Sequence, residues 1–91
     1  MAYYVYILEC SNGAFYTGYT DNVEKRYQEH SLGKGAKYTR SFKPIKIAQV
    51  WNFESKSQAM TAESMIKRLP RKAKEEIVRN PELLGMTEYT I

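Results

Sequence analysis

The chain has little cysteine and little histidine, with one of each among its 91 residues. The single cysteine, Cys10, cannot form a disulfide within the chain, so nothing in the cysteine content indicates an oxidising compartment. The single histidine, His30, excludes a metal site built from several imidazoles. No apolar run approaches the ~20 residues of a membrane span, and the N-terminal segment lacks the features of a signal peptide. We therefore expect a cytoplasmic protein without a membrane partner.

The charge and polarity of the chain are those of an ordinary small globular domain. Hydrophobic residues make up 43% and charged residues 26%, a balance that excludes an intrinsically disordered chain. Lys and Arg number 14 against 10 Asp and Glu, and the net charge of +4 favours a polyanionic partner without demanding one. We expect a single domain at residues 1–80 and a C-terminal tail at 81–91, whose apolar residues pack back on the domain.

Strand and helix signals follow one another in the order β-β-α-β-α-α. The predicted strands are at 3–9, 14–19 and 45–53, and the predicted helices are at 21–31, 55–69 and 70–79. Asp21 with Glu24, and Ser55 with Gln58, have the spacing of a capping box at a helix N-terminus. Residues 32–46 hold Lys and Arg but no acid and are predicted to be a basic loop. This order predicts an α+β fold with helices flanking a small antiparallel three-stranded sheet.

The third predicted strand has an apolar face with one polar interruption. The side chains of this face, at alternate positions, are those of Ile45, Ile47, Trp51 and Phe53. Gln49 falls in the same alternation. The pattern predicts that the apolar members point together into the core.

The turn at 11–13 allows two hairpin registers, which place the tyrosines differently. A two-residue turn would put Tyr6 and Tyr16 on opposite faces of the sheet. A three-residue loop with a left-handed Gly13 would put both on one face, with Tyr6 opposite Gly18. We favour the second register because it separates the tyrosines, and a gap at Gly18 large enough for a small anion, from an apolar face. That face would carry Val5, Ile7, Phe15 and Tyr19. Taken alone, alternating aromatics in strands are more often core residues.

Two predicted helices carry further polar candidates. Asn22, Arg26 and His30 recur every four residues and form one stripe beside the buried face. An arginine there offers a fork of N–H donors to a phosphate, and a histidine one turn away accepts a proton from a phenol. Glu63 borders the apolar arc of its helix, and Mg²⁺ is held by as few as one or two carboxylates. The plainer alternatives are a solvated helix face and an i,i+4 ion pair of Glu63 with Lys67.

Two basic stretches offer contacts to a polyanion. One is the segment at 32–46, which contains a tyrosine among its cations, and the other covers 67–74. Basic charge with interleaved aromatics suits a phosphate backbone and unstacked bases, although charge runs are usually solvated surface. The residues that we expect to contact nucleic acid are Lys34, Lys37, Tyr38, Arg40 and Lys67.

The two tyrosine motifs, in this order, resemble those of the GIY-YIG endonuclease domain. Tyr4-Val5-Tyr6 stands where that family has GIY, and Tyr16-Thr17-Gly18 stands where it has YIG. The residues that match the family's other active-site positions are Arg26, His30 and Glu63. The stretches at 33–40 and 66–69 are similar to bacterial stand-alone members of the family. The resemblance covers about residues 3–78 and extends to the catalytic domain of structure-specific junction nucleases.

The resemblance implies a metal-dependent endonuclease that acts on DNA, including branched or structured DNA, in repair or recombination. Tyr6 would be the general base and Tyr16 would orient water or phosphate. His30 would take the proton of Tyr6, while Arg26 holds the scissile phosphate. Glu63 would bind one Mg²⁺ or Mn²⁺ ion. The alternatives are a non-catalytic nucleic-acid-binding module of the same fold and a scaffold whose tail contacts a protein partner.

Overall fold

A computed structural model describes residues 2–86 of the chain. Its strands are β1 (Tyr3–Cys10), β2 (Phe15–Thr20) and β3 (Pro44–Phe53), and its helices are α1 (Val23–Ser31), α2 (Lys37–Ser41), α3 (Lys56–Arg68), α4 (Arg71–Arg79) and a 3₁₀ helix (Pro81–Met86). The strands form one antiparallel sheet in the order β2-β1-β3. The predicted α+β architecture is thus confirmed. Within residues 2–86, no helix is long and apolar enough to span a membrane.

The hairpin adopts the three-residue register, which we favoured because it separates the tyrosines from the apolar face. Gly13 has φ of +83°, a left-handed conformation that costs a glycine little. The N–H of Cys10 donates to the carbonyl of Ala14 at 2.9 Å and closes the loop. Tyr6 consequently pairs with Gly18, and Tyr16 lies one diagonal step away on the same face of the sheet.

The two faces of β1 have different surroundings. Val5 and Ile7 are fully buried in a core that they form with the α3 residues Ala59, Ala62 and Ile66. Phe15 and Tyr19 of β2 pack against this core, as the favoured register predicts. Tyr6 lies on the opposite face, where its hydroxyl reaches His30 of α1. The sheet therefore separates an apolar layer from a layer that holds titratable groups.

The prediction that the apolar side chains of β3 share one face is wrong for the first half of the strand. Ile7 pairs with Gln49 but Leu8 pairs with Ile47, so the ladder skips one residue of β3 at a bulge. Because side chains alternate along a strand, this slip turns Ile47 to the face opposite Trp51. Ile45, beyond a second irregularity, is 59% exposed. Gln49 stays on the core side, where its amide donates to the carbonyl of Val78 at 3.0 Å.

The helix boundaries differ from prediction at two places. The N-cap of α1 is Asn22 and not Asp21, since the Asn22 side chain accepts from the N–H of Lys25 at 3.1 Å. The predicted basic loop contains the short helix α2, whose five residues are too few for a periodic signal. Ser55 caps α3 as predicted, and α4 ends at Arg79 with Asn80 as its C-cap.

The start of the predicted tail packs on the domain. Leu84 is buried and Leu83 is partly buried against the apolar core. Leu84 therefore does not offer the exposed apolar contact that the scaffold alternative needs. The side chain of Met86 and all of residues 87–91 lie outside the part of the chain that the structure describes.

Candidate active site

Tyr6 is the centre of the polar layer, and a glycine makes room for it. A Cβ on Gly18 would collide with the hydroxyl and ring of Tyr6, which lie directly across the glycine backbone. The prediction of a gap at Gly18 for a small anion is therefore wrong, because the Tyr6 ring itself fills that space. Only 2% of Tyr6 is exposed, so its phenol stands at the bottom of the site.

His30 of α1 meets Tyr6 in the same layer. The Tyr6 hydroxyl lies 2.9 Å from Nε2 of His30, and the imidazole is fully buried. A Cβ on Gly35 would collide with the His30 ring, so this glycine is needed for the close approach of the chain after α1. His30, a member of the polar stripe predicted on this helix, therefore lies on the face of the sheet that carries Tyr6.

Tyr16 lies beside both groups. Its ring centroid is 6.5 Å from that of Tyr6 and 5.1 Å from that of His30, in tilted arrangements. Tyr16 is less buried than Tyr6 and lines a cleft of about 290 Å³ at the outer edge of the sheet. The two phenols therefore share one face, with Tyr16 at the entrance.

Arg26 and Glu29 supply the charges nearest to this pair. Nη1 of Arg26 donates to Oε1 of Glu29 at 2.9 Å, one turn along α1. Arg26 also acts on the phenol, since its hydrogen bond and positive charge lower the pKa of Tyr6. Asn22, the third member of the predicted stripe, is occupied in capping α1.

The net electrostatic state of Tyr6 and His30 is neutral. Burial, followed by the neighbouring Tyr16, raises the pKa of Tyr6 to about 12 despite the opposing effect of Arg26. Burial and then Arg26 lower the pKa of His30, while Glu29 acts in the opposite direction. Burial disfavours both charged forms for the same reason, which is the loss of hydration in a medium of low dielectric constant. At neutral pH the shared proton stays on Tyr6.

Glu63 approaches the site from α3, on the far side of the sheet. Its side chain is 19% exposed, and Oε2 lies 3.5 Å from Nζ of Lys67 in the i,i+4 ion pair that the sequence allowed. Its negative charge raises the pKa of Tyr6, although it is the smallest of the causes acting on that phenol. Glu63 is therefore within electrostatic reach of Tyr6 without touching it.

The donor set around Glu63 fits a hydrated divalent ion rather than a protein cage. Residues 2–86 contain no group of three or more His, Cys, Asp or Glu residues that could hold a metal ion. Mg²⁺ is commonly held by one or two carboxylates and keeps several waters, with substrate phosphates completing its shell. Glu63 offers a single, partly shielded carboxylate, and its ion-pair partner Lys67 lines the cleft with Tyr16, so the carboxylate meets that requirement.

The predicted nucleic-acid contacts are divided by the structure into two groups. Tyr38 and Lys67 line the 290 Å³ cleft together with Tyr16, and Lys74 of α4 joins them. The hydroxyl of Tyr38 accepts from the Asn12 amide at 2.9 Å, which ties α2 to the hairpin tip. The remaining predicted contacts are exposed but do not line the cleft: Lys34, Lys37 and Arg40.

Sequence reasoning did not assign three residues to this site, although Lys74 lies in the predicted basic stretch at 67–74. Thr39 contacts His30 from α2, Gly35 admits the imidazole, and Lys74 lines the cleft. The second glycine of the segment after α1 was a usable signal, because a glycine also marks close packing. Nothing in the local pattern distinguished Thr39 from an ordinary surface threonine.

Comparison with known proteins assigns the family. The model of the GIY-YIG catalytic domain matches residues 2–76 of the chain. The chain belongs to the GIY-YIG family. The matched region spans both tyrosine strands, α1 and α3, so every predicted catalytic position lies within this GIY-YIG domain. The GIY-YIG domain is that of a nuclease family, whose members use a divalent metal ion and act on DNA.

Similar GIY-YIG chains occur in bacteria and archaea as UPF0213 proteins. UPF0213 protein BH0048 of Halalkalibacterium halodurans is 50% identical over 78 residues, which cover 86% of this chain and 83% of that protein. UPF0213 protein VNG_2274C of Halobacterium salinarum is 49% identical over 73 residues, 80% of this chain and 95% of that protein.

Two solved structures share the fold of this GIY-YIG domain. The solution NMR structure of BH0048 aligns with a TM-score of 0.57 at 49% identity and covers 87% of this chain and 84% of that one. The solution NMR structure of protein EF2693 from E. faecalis aligns with a TM-score of 0.63 at 42% identity. It covers 91% of this chain and 88% of that chain.

Proposed function

We propose that this protein is a metal-dependent endonuclease that hydrolyses DNA phosphodiester bonds in repair or recombination. The observation that carries the proposal is the buried hydrogen bond of 2.9 Å between the Tyr6 hydroxyl and Nε2 of His30. A buried phenol that donates to an imidazole nitrogen can pass its proton on as it receives another, which supports a role as a proton relay. The charges of Arg26 and Glu63 act on the same phenol.

Tyr6 and His30 act together as the general base. The attacking water transfers a proton to the Tyr6 oxygen while the Tyr6 hydroxyl proton passes to Nε2 of His30. The relay is needed because a phenol with its pKa raised to about 12 is almost fully protonated at neutral pH. Neutral His30 is the form that accepts, and the lowered pKa of His30 keeps that form populated.

Arg26 and Tyr16 hold the scissile phosphate beside the relay. The guanidinium of Arg26 is partly exposed, and its planar set of N–H donors matches phosphate oxygens. Tyr16, at the entrance, orients the water or the phosphate through its hydroxyl. Positioning of this kind converts a bimolecular attack into a nearly unimolecular one.

Glu63 is the residue that would hold the divalent ion, Mg²⁺ or Mn²⁺. When bound there, the ion would supply positive charge to the phosphate and the leaving oxygen. The partly shielded carboxylate of Glu63 keeps one oxygen occupied by Lys67, which is itself exposed and free to move toward a DNA phosphate. Tyr38 lines the cleft with Lys67, and the exposed side chains of Lys34, Lys37 and Arg40 would add further contacts to DNA.

A cleavage panel tests this function. Purified protein is incubated with linear, flapped and branched DNA and with RNA, each with Mg²⁺, Mn²⁺ or a chelator. We expect metal-dependent products, and we expect Glu63→Gln to abolish them while leaving the melting temperature unchanged. Glu82→Gln is the matched control, because Glu82 is exposed on the 3₁₀ helix. This variant should cleave DNA like the wild type.

The same panel separates the alternatives. DNA that is bound but never cut, under any metal, would indicate the non-catalytic binding module. Cleavage that appears only after addition of a cell-extract fraction would indicate a protein partner for targeting. Equal cleavage by Glu63→Gln and the wild type would show that the assignment of Glu63 is wrong.

A further inference from the structure

Thr39 is a fully buried threonine of α2 with no role in the relay as proposed. Its hydroxyl oxygen lies 2.9 Å from the carbonyl oxygen of Ala36 and 2.7 Å from Nδ1 of His30. A hydroxyl has one hydrogen, and here that hydrogen is donated to Ala36, because a carbonyl oxygen only accepts. Toward His30 the Thr39 oxygen therefore acts as an acceptor.

This arrangement fixes which nitrogen of His30 carries the proton. Nδ1 donates to Thr39, and a neutral imidazole with a proton on Nδ1 has its lone pair on Nε2. The Tyr6 hydroxyl, 2.9 Å from Nε2, therefore donates to that lone pair. The opposite tautomer would point an N–H at the Tyr6 oxygen and leave the Nδ1 lone pair facing a Thr39 oxygen whose hydrogen is already used.

We propose that Thr39 is a positioning residue that holds His30 in the Nδ1-protonated tautomer, so that Nε2 is available for the proton of Tyr6. This role rests on the proposed function, in which Nε2 receives that proton. The other polar groups around His30 are Tyr6 from β1, Tyr16 from β2, and Arg26 and Glu29 from α1. Among residues 2–86, none of these hydrogen-bonds to Nδ1, so Thr39 is the group that selects the tautomer.

The single histidine makes the tautomer directly measurable. In ¹⁵N-labelled protein, the ring nitrogen signals come from one imidazole and need no separate assignment. At about pH 8, where His30 is neutral, we expect Nδ1 to resonate in the range of a protonated nitrogen and Nε2 in the range of an unprotonated one. This measurement uses the wild-type protein, so it does not depend on any variant folding.

Thr39→Val and Thr39→Ser form the matched pair of variants. Valine has nearly the shape of threonine but removes the acceptor, so the Nδ1-protonated form should lose about tenfold in relative population. We expect kcat for DNA cleavage to fall about tenfold with KM unchanged, because the fully buried Thr39 is not accessible to DNA. Serine keeps the hydroxyl and should restore both the nitrogen spectrum and the cleavage rate.

The outcomes distinguish this inference from the proposed function. A wild-type spectrum with the proton on Nε2, or a Thr39→Val spectrum identical to that of the wild type, would overturn the inference whatever the activity. A shifted tautomer with unchanged kcat would overturn the positioning role. If the wild type cleaves no DNA, the proposed function fails, and the nitrogen spectra still decide whether Thr39 selects the tautomer.

Discussion

At the scale of single residues, the site depends on two groups that burial keeps uncharged. Tyr6 and His30 lie in contact between the sheet and α1, away from water. Each would be easier to ionise in solution than it is here, because the folded protein replaces hydration with a poorly polarisable surrounding. Before substrate binds, the pair is therefore uncharged, with the proton on Tyr6 and His30 able to accept it. A general base needs such a free acceptor.

Replacing Tyr6 with phenylalanine tests whether the hydroxyl, rather than the ring, is what matters. Tyr6→Phe keeps the ring that packs across Gly18 but removes the O–H that donates to His30. We expect DNA cleavage to fall by about 10²–10⁴-fold, the usual range for a lost general base. The measurement is single-turnover cleavage with Mg²⁺ or Mn²⁺, with circular dichroism to verify the fold.

Tyr27→Phe is the control for Tyr6→Phe, because Tyr27 lies on α1 and lines a different cleft. It should cut like the wild type. A Tyr6→Phe variant with more than half of the wild-type rate would remove Tyr6 from the role of general base.

The burial of His30 predicts a pH dependence of stability. The pKa of His30 is lowered in the folded protein from its ordinary value of 6.5, so below that pH the unfolded chain binds more protons than the folded one. The contribution of His30 to the free energy of unfolding should therefore be fully present above about pH 6.5. It should be lost as the pH falls through the pKa of His30 in the folded protein.

Urea unfolding at about pH 7.5 and about pH 5.5 measures this His30 effect. His30→Gln lacks the titrating group, so its loss of stability between the two pH values should be smaller than that of the wild type. Equal losses in both proteins would mean that His30 is not shielded from solvent as the structure has it.

At the scale of elements, the start of α1 is decided by a neighbour and not by the residue type. Asp21 and Asn22 are equally good N-caps, and the sequence pattern favoured Asp21. The chain instead bends at Asp21, and the N–H of Asn22, which is itself extended, donates to the Thr20 side chain at 3.1 Å. Asn22 is then the residue whose side chain accepts from Lys25.

This assignment of the cap predicts a difference between two adjacent substitutions. Asn22→Ala should lower the free energy of unfolding by about 1 kcal/mol, the usual cost of a lost N-cap. Asp21→Ala, its control, should change it by less than about 0.5 kcal/mol. Thermal or urea unfolding of both variants measures the two values, and a larger loss for Asp21→Ala would return the cap to Asp21.

Local signals predicted most elements, whereas the errors in β3 and at α2 involve contacts with other elements. The hairpin register followed from the alternation of tyrosines and apolar residues along two adjacent strands, and a left-handed Gly13 closes the loop that this register needs. The bulge in β3 could not be predicted, because it depends on how that strand pairs with β1 far away in sequence. Helix α2 escaped notice for a similar reason, since the buried Thr39 that anchors it finds its partner on α1.

The candidate site was predictable to a similar extent. The spacing placed Tyr6, Tyr16 and His30 in one layer once the register was fixed. The cleft lined by Tyr38, Lys67 and Lys74 joins α2, α3 and α4, and no single stretch of sequence indicates that these helices meet at the edge of the sheet.

At the scale of the whole molecule, the charge is modest and its position matters more than its amount. The net charge is +4, and four ion pairs within residues 2–86 place an acidic group next to a Lys or Arg side chain. Lys67 and Lys74 both line the cleft next to Tyr16, so DNA phosphates at that cleft would face two cations. Each phosphate that a cation neutralises releases a counterion, so salt weakens binding in proportion to the contacts made.

Replacing Lys74 therefore tests whether DNA lies in this cleft. In metal-free buffer with a chelator, fluorescence anisotropy gives Kd over a series of salt concentrations. Lys74→Gln should weaken binding and lower the slope of log Kd against log salt by about 1, the value for one lost phosphate contact. The control is Lys56→Gln, which makes the same change in charge. Lys56 lies at the N-terminus of α3, about 16 Å along the helix from the cleft residue Lys67, so this variant should leave the slope unchanged. If both substitutions lower the slope equally, binding follows the net charge of the protein, and the DNA does not lie preferentially at the cleft beside Tyr16.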